Sequence, residues 1–272
     1  MRSALAALLA LAPASARAER ILVVLSDPLR ASTEEALEGF RSEWSMEIDT
    51  ASAREPLPTE PHDVIVAFGS RAAELVRNED APLVIALAPA FRAYRRRSAT
   101  VRVAMTPPPE RFADILAAAG VRRLLAVRGA PADEDFVRRA VEAGRPGGVM
   151  IDNRVIGAPE DLPEVLRGPG LEADALWLAP DPGTVTAETF GAAREYARAR
   201  GIPFFAPAAG LVADEIRGGL TVSFRDCGRE AARAARELLA GRSIAKIVYP
   251  SAPKVEQVQV ELSTRPGVSA RR

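Results

Sequence analysis

The stretch that decides the fold begins with ADALWLA at positions 173–179 and continues with the turn PDPGT at 180–184. An amphipathic segment then runs to Arg200, GIP at 201–203 interrupts it, and FFA follows at 204–206. The short apolar segments are typical of buried strands. Because a parallel neighbour is reached only through a crossover, strand, helix and strand with short turns predict a parallel sheet. We therefore expect an α/β protein with doubly wound parallel sheets.

The turns that follow such strands point to the place where a ligand would bind. In parallel α/β sheets the ligand crevice lies outside the carboxyl ends of the strands. This places Asp181, Thr184 and the turn that begins at Pro207 among the candidate ligand contacts. Asp181 has a second interpretation, since an aspartate after a strand is also a common turn former or helix N-cap. Both interpretations of Asp181 stay open.

The first 18 residues have the pattern of a secretory signal peptide. Arg2 precedes an apolar run at 4–12, and ARA at 16–18 is a small-residue cleavage site. The alternative is a disordered or helical N-terminus. No other segment is apolar over the length needed to cross a bilayer, so we expect a mature protein in the periplasm.

Composition disfavours several classes of protein. The 36 basic and 36 acidic residues balance, which implies neither nucleic acid nor an anionic membrane as a partner. Cys227 is the only cysteine and His62 the only histidine. A histidine-containing catalytic triad and a zinc cluster are therefore not expected, and no nucleotide-binding glycine motif is present. An exported hydrolase is disfavoured, since no motif brings a nucleophile and a base together. We expect no enzyme activity, no cofactor and no metal.

The first half of the chain supplies further candidates. ILVVL at 21–25 and VIVAF at 64–68 are continuous apolar runs, which suit strands buried on both faces. Ser26 ends the first, and Gly69 and Ser70 end the second and open a helix whose free N–H groups would face the crevice. Ser70 could be a helix N-cap, a ligand contact, or both. Between these strands we predict a helix with Ser32 as its N-cap, and a second strand at 46–49.

A second series of strand and helix units follows the polyproline at 107–109, which we interpret as the first crossing between two lobes. The predicted first lobe comprises residues 19–104 and 224–246. The predicted second lobe comprises residues 105–223 and 247–262, and 263–272 would be a frayed tail. Arg128 ends a strand of this lobe and could hold a carboxylate or be a solvated loop residue. Phe205 and Phe224, near strand ends, could stack on a ligand or pack in the core.

Five segments together resemble the periplasmic solute-binding proteins of ABC importers, in the tryptophan/tyrosine-binding branch of the type I fold. They are VAFGSRAA at 66–73, DALWLAPD at 174–181, GIPFFA at 201–206, SFRDCGR at 223–229 and LLAG at 238–241. The resemblance implies a monomeric two-lobed clamp that captures a small molecule and delivers it to an ABC permease and its ATPase. By position, it implies that Ser26 and Ser70 face the ligand from one lobe, and that Asp181, Thr184 and the turn at Pro207 face it from the other.

Two departures from the family pattern bear on the ligand. The family's Ser-Asp pair after the Phe-Ala strand end is replaced by Pro207 and Ala208, and Ser223 replaces an aspartate before Phe224. A charged ligand group left unpaired in a closed cleft is costly. The departures therefore favour an apolar or aromatic solute, or a protein that has lost its ligand. The alternative function is that of a periplasmic sensor or adaptor which docks on a membrane receptor.

Overall fold

The computed structural model describes residues 19–89, 98–129, 134–168, 172–181, 184–205 and 222–250. Strands and helices alternate along this part of the chain. The strands are β1 (Ile21–Leu25), β2 (Asp49–Ser52), β3 (Val64–Phe68), β4 (Leu83–Ala86), β5 (Thr100–Val103), β6 (Arg123–Gly129), β7 (Met150–Ile156), β8 (Ala175–Leu178), β9 (Phe204–Phe205) and β10 (Ile247–Val248). The helices are α1 (Ala31–Glu43), α2 (Ser70–Leu75), α3 (Pro109–Ala118), α4 (Glu134–Gly144), α5 (Leu162–Arg167, after a 3-10 turn at Pro159–Asp161), α6 (Ala187–Arg200) and α7 (Phe224–Leu239).

The strands form two parallel sheets, which confirms the predicted fold class. The first sheet has the order β10-β5-β4-β3-β1-β2 and the second the order β7-β6-β8-β9. Every strand pair in the described residues is parallel. We call the first sheet with its helices the first lobe, and the second sheet with its helices the second lobe.

In the first lobe, helices cover both faces of the sheet. β1 and β3 have the predicted bounds, and all ten of their residues are buried. Alternate side chains pack against α1 and α7 on one face and against α2 on the other. The helices α1 and α7 approach closely because Gly39 and Gly228 lie in their contact. A Cβ at Gly228 would lie 1.9 Å from the Ala36 carbonyl oxygen, so a larger residue would force the two helices apart.

The second lobe is organised around aromatic side chains. Trp177 of β8 is 1% exposed, and its ring lies 4.9 Å from that of Phe112 and 6.0 Å from that of Phe136. These rings belong to α3 and α4, which cover one face of the sheet. The other face packs against α5 and α6. Offset and edge-to-face ring contacts add about 0.5–1.5 kcal/mol per pair beyond the buried area.

Three sequence predictions are corrected. α1 begins at Ala31 with Arg30 as its flanking residue and no side-chain cap, so Ser32 is inside the helix. The second strand lies at Asp49–Ser52 instead of 46–49, because parallel register pairs Leu22 with Asp49. Its polar sequence is tolerated since it is an edge strand.

The third correction concerns residues 247–248, which we had assigned to the second lobe. They form β10, which pairs in parallel with β5 and so belongs to the first sheet. Two predicted features, the signal peptide at 1–18 and the tail at 263–272, lie outside the described residues. In the described part of the chain, no helix combines the length and the apolarity that crossing a membrane requires.

Candidate functional site

Both lobes have a topological switch point, and the predicted site residues lie at these two points. In each sheet the chain adds its second strand on one side of the first and its third strand on the other, in the orders β2-β1-β3 and β7-β6-β8. A crevice forms where the connections diverge, at the carboxyl ends of the two central strands. Ser26 and Gly69 follow β1 and β3, whereas Arg128 and Asp181 lie at the ends of β6 and β8.

At the first switch point Ser26 is fixed by the main chain. Its backbone N–H donates to the Phe68 carbonyl at 2.9 Å. Its Oγ accepts the N–H of Ala72, in the first turn of α2, at 2.9 Å. The serine oxygen thus satisfies one of the N–H groups that a helix leaves without an intrahelical partner.

Gly69 lies directly next to the Ser26 side chain. Its φ of 98° is in the region that residues with a side chain rarely adopt. A Cβ there would lie 2.4 Å from Ser26 Oγ. Gly69 is also the residue that caps α2, so the N-cap interpretation of Ser70 is wrong. Ser70 is the first helical residue and its side chain is exposed, which leaves it accessible to a ligand.

At the second switch point Asp181 and Thr184 form a closed turn. The Thr184 hydroxyl donates to Asp181 Oδ2 at 3.1 Å. The N–H groups of Thr184 and Val185 donate to the Asp181 carbonyl at 2.9 and 2.8 Å. Asp181 is partly exposed, whereas Thr184 is fully buried. Asp181 therefore has the turn-forming role that we weighed, and its carboxylate also borders the crevice. Thr184 supports Asp181 from inside the turn.

Gly129 is a site residue that the sequence analysis missed. It ends β6, and a Cβ on it would lie 2.3 Å from Asp181 Oδ2 and 2.7 Å from Thr184 Oγ1. Only a glycine lets these two polar side chains pass over the end of the neighbouring strand. No local pattern around Gly129 gives this signal, because the residues that require it lie more than 50 positions later.

Arg128 is turned toward the edge of its sheet. Its side chain is buried, with 6% of the residue exposed, and Nε donates to Asn153 Oδ1 at 3.2 Å on the adjacent strand β7. The solvated-loop interpretation is therefore wrong. A buried guanidinium with an amide partner could still meet a carboxylate. Its guanidinium contacts Asn153 and, at 3.4 Å, the Gly129 carbonyl, both within the sheet.

The aromatic candidates are part of the cores. Phe205 is fully buried beside Trp177 in the second lobe, as the core-packing interpretation states. Phe224 is the first residue of α7 and packs, partly buried, against the first core. Pro207 lies outside the described residues. Neither described phenylalanine presents a free ring face to the crevice in this conformation.

The lobes meet at a small pocket that the sequence analysis did not identify. Its walls are the residues after β4, the end of β5 with the first crossing, and one proline of the second lobe: Ala88, Pro89, Arg102, Val103, Ala104, Met105, Thr106 and Pro180. The pocket volume is about 20 Å³, which is room for about one water molecule. Leu87 next to it has a φ of 55°, an uncommon conformation for a leucine. Backbone strain of this kind is often found at ligand sites.

The single cysteine, Cys227, is buried in the core of the first lobe. Burial, and secondarily the charge of Asp226, raise the pKa of the Cys227 thiol to about 12. The thiol therefore stays protonated at neutral pH and is a poor nucleophile. Within the described ranges, no group of three His, Cys, Asp or Glu side chains could hold a metal ion.

Comparison with protein-family models and with curated proteins gives no match for this sequence. Solved structures do match. The ABC domain from Streptococcus pneumonia in complex with L-Trp has a TM-score of 0.56 at 13% identity, covering 86% of this chain and 90% of that one. A ligand-free, open substrate-binding protein with adhesive properties from Clostridium difficile has a TM-score of 0.54 at 14% identity, covering 85% and 89%.

A regulator has the same architecture. The transcription regulator CcpA of Lactococcus lactis has a TM-score of 0.50 at 13% identity, covering 88% of this chain and 96% of that one. At these identities the likeness shows the fold alone. The protein has a two-lobed α/β fold like that of the type I periplasmic binding proteins, which substrate-binding proteins and regulators share.

Proposed function

We propose that this protein is an extracytoplasmic solute-binding protein that captures a small apolar or aromatic solute between its lobes and delivers it to an ABC permease. One observation carries the proposal: each lobe has a topological switch point at the carboxyl ends of its strands, where parallel α/β sheets bind ligands, and each has a polar side chain there, Ser26 in the first lobe and Asp181 in the second. The signal-peptide pattern at 1–18 supports a periplasmic location. Of the structures with a similar fold, one is a substrate-binding protein and another is an ABC domain in complex with L-Trp.

The ligand class follows from what the crevice offers. The described polar groups are mostly engaged: Ser26 Oγ accepts from α2, and Thr184 donates to Asp181. Arg128 contacts Asn153. A strongly charged solute would need partners freed from these contacts, at the cost of breaking existing hydrogen bonds. An uncharged solute with a large apolar part needs fewer of them.

A thermal-shift screen tests this proposal. Aromatic amino acids and small neutral aromatic compounds are added, and a compound that binds only the folded form raises the melting temperature. At a concentration of about 100 times Kd the gain is about 2.7 kcal/mol, or roughly 5–10 °C for a chain of this size. Ser70→Ala should reduce the shift. Ser98→Ala is the matched control, because Ser98 lies at the opposite end of the first sheet, where it donates to the Asp80 carbonyl.

Two results would contradict the proposal. One is a folded protein whose melting temperature no compound of the library raises. The other is an equal loss of the shift in Ser70→Ala and in Ser98→Ala, which would place binding outside the crevice.

The second candidate function is a periplasmic sensor or adaptor. It is favoured by the burial of Thr184, which the family resemblance implied as a ligand contact, and of Phe205, which was a candidate for stacking on a ligand. A transcription regulator with the same architecture shows that the fold is not confined to transport. Genes for a permease and an ATPase beside this one would favour transport, and a lone sensor-kinase gene would favour the second function. We also propose that the protein has no enzyme activity.

A further inference from the structure

The chain passes from the first lobe to the second at the peptide unit directly after β10, the last described strand. β10 is held by the first sheet, since the N–H of Arg102 donates to the Lys246 carbonyl at 2.8 Å and the N–H of Ala104 to the Val248 carbonyl at 2.9 Å. The next residue, Tyr249, packs against the aromatic core of the second lobe. Val248 and Tyr249 are therefore anchored in different lobes.

The Tyr249 side chain is held from two directions by α4. Its ring lies 6.3 Å from that of Phe136, at an interplanar angle of 35°. The Arg139 guanidinium carbon lies 5.7 Å from the centre of the same ring, within the range of a cation–π contact. The ring is thus fixed to one helix of the second lobe by an aromatic and a cationic neighbour.

Arg139 also connects to the first crossing. Its Nη2 donates to Glu110 Oε1 at 2.8 Å. Glu110 is the second residue of α3, the first element after the chain leaves the first sheet. On the first-lobe side, Ala104 is bound by β10 through its N–H, and its carbonyl accepts from Cys227 Sγ at 3.9 Å. Arg139 therefore contacts both described connections between the lobes, through Tyr249 after β10 and through Glu110 after the first crossing.

We propose that Tyr249, Arg139 and Glu110 form a hinge latch that sets the angle between the lobes. In this view the lobes pivot at the Ala104–Met105 and Val248–Tyr249 steps, and the latch favours the observed orientation. The inference concerns the motion that the clamp needs, and so it rests on the proposed function.

How much each of the three side chains contributes to the latch follows from its exposure to solvent. The Arg139 and Glu110 side chains are 36% and 58% exposed, and ion pairs this accessible to water contribute little on their own. The Tyr249 ring contributes buried area to a core cluster. We therefore expect the largest effect from Tyr249→Ala, a smaller one from Arg139→Met and the smallest from Glu110→Gln.

The test measures the distance across the crevice in the ligand-free protein. Leu29→Cys, on the exposed loop after β1, and Glu188→Cys, in the exposed first turn of α6, would carry nitroxide labels. Native Cys227 is 1% exposed and its raised pKa of about 12 keeps it unreactive, so it can stay in place. Double electron–electron resonance then gives the distribution of distances between the labels.

Tyr249→Ala should broaden this distribution, because the second lobe loses a contact that restricts its orientation. Tyr249→Phe keeps the ring between Phe136 and Arg139 and should leave the distribution unchanged. Phe190→Ala is the structural control: it removes a ring that packs on Phe204 in the second lobe, away from the latch. Should Tyr249→Ala fail to fold, Arg139→Met gives the same comparison with a smaller broadening.

The latch is refuted if the foldable latch variants keep the parent distribution, or if Phe190→Ala broadens it as much as they do. Neither result depends on a ligand. A failed ligand screen with a broadened Tyr249→Ala distribution would overturn the transport proposal and leave the latch standing, whereas a successful screen with an unchanged distribution would do the reverse.

Discussion

At both switch points a polar side chain lies over a glycine at the end of a neighbouring strand. The two lobes differ in which strand supplies the polar residue and which supplies the glycine. In the first lobe the polar residue, Ser26, follows the first strand and crosses over Gly69 at the end of the third. In the second lobe the glycine, Gly129, ends the first strand, and Asp181 with Thr184 crosses over it from the third. In both lobes a side chain passes between two adjacent strand ends at a distance that excludes a Cβ.

The difference lies in what holds the crossing side chain. Ser26 is bound by main-chain groups of β3 and α2, so it cannot move unless the sheet end or the helix moves with it. Asp181 is bound within its own turn, where Oδ2 accepts the hydroxyl of Thr184. The contacts that hold Ser26 therefore come from residues more than 40 positions away, whereas the Thr184 contact comes from three positions away.

The largest effect is expected when each glycine is replaced by alanine. Gly69→Ala combines a backbone conformation (φ 98°, ψ 162°) that is essentially confined to glycine and costs about 1–3 kcal/mol with the contact to Ser26. Gly129→Ala has only the contact with Asp181 and Thr184, worth about 1–3 kcal/mol as overpacking. Urea unfolding of both variants should show the larger loss of unfolding free energy for Gly69→Ala. An equal or reversed order would contradict the additional backbone cost assigned to Gly69.

Gly191→Ala is the matched control for both variants. Gly191 lies inside α6, and a Cβ on it would have no neighbour within 4 Å. Alanine is favoured over glycine in a helix interior by about 1 kcal/mol, so this variant should gain stability. A loss there would mean that alanine substitutions destabilise this chain for reasons other than crowding at the switch points.

A smaller effect is expected from relieving each clash with a second substitution. Asp181→Ala removes the nearest atom to the new Cβ in Gly129→Ala, but Thr184 Oγ1 stays 2.7 Å from that Cβ and loses Asp181 as its acceptor, so only part of the lost stability should return. Ser26→Gly in Gly69→Ala removes the clash but leaves the positive φ, and it also deletes the hydrogen bond from Ala72, worth about 1 kcal/mol. Double-mutant cycles should therefore show partial rescue in both lobes. Full rescue of Gly69→Ala by Ser26→Gly would show that the backbone conformation at Gly69 carries no cost.

The parts of this arrangement that sequence predicts are those with a local signal. β1 and β3 were predicted residue for residue, because a run of β-branched and leucine residues between turn formers permits little else. Asp181 and Ser26 were found since polar residues directly after buried strands stand out. Gly69 was identified because it lies next to a serine at a strand end.

The parts that sequence did not predict depend on partners distant in the chain. Gly129 has its role only because Asp181 crosses it, and β10 joins the first sheet only because β5 offers a free edge. Ser32 has the residue type of an N-cap, but the Asp27 carbonyl already accepts the N–H of Arg30, so the chain turns and α1 starts earlier. Tertiary contacts decided the first two points, and a local turn decided the third.

The smallest expected effect is on the pH dependence of stability, and it involves one carboxylate in each lobe. In the first lobe, Arg20 and then His62 hold the pKa of Asp49 below its ordinary value. In the second lobe the backbone N–H of Glu110, followed by Arg139, lowers the pKa of Glu110. A carboxyl with a lowered folded-state pKa stabilises the protein above its unfolded value, near 4, and loses that contribution as the pH falls through the folded value.

Both carboxylates are well exposed, at 43% and 58% of the side chain, so each contribution should stay below about 1 kcal/mol. Asp49→Asn should flatten the acid limb of the stability curve below about pH 4, and Glu110→Gln should do so by a similar amount. If the lobes unfold in separate transitions, each variant should flatten only the transition of its own lobe. Because Glu110 belongs to the hinge latch and Asp49 does not, a change in the first-lobe transition of Glu110→Gln would mean that the latch couples the stabilities of the two lobes as well as their orientation.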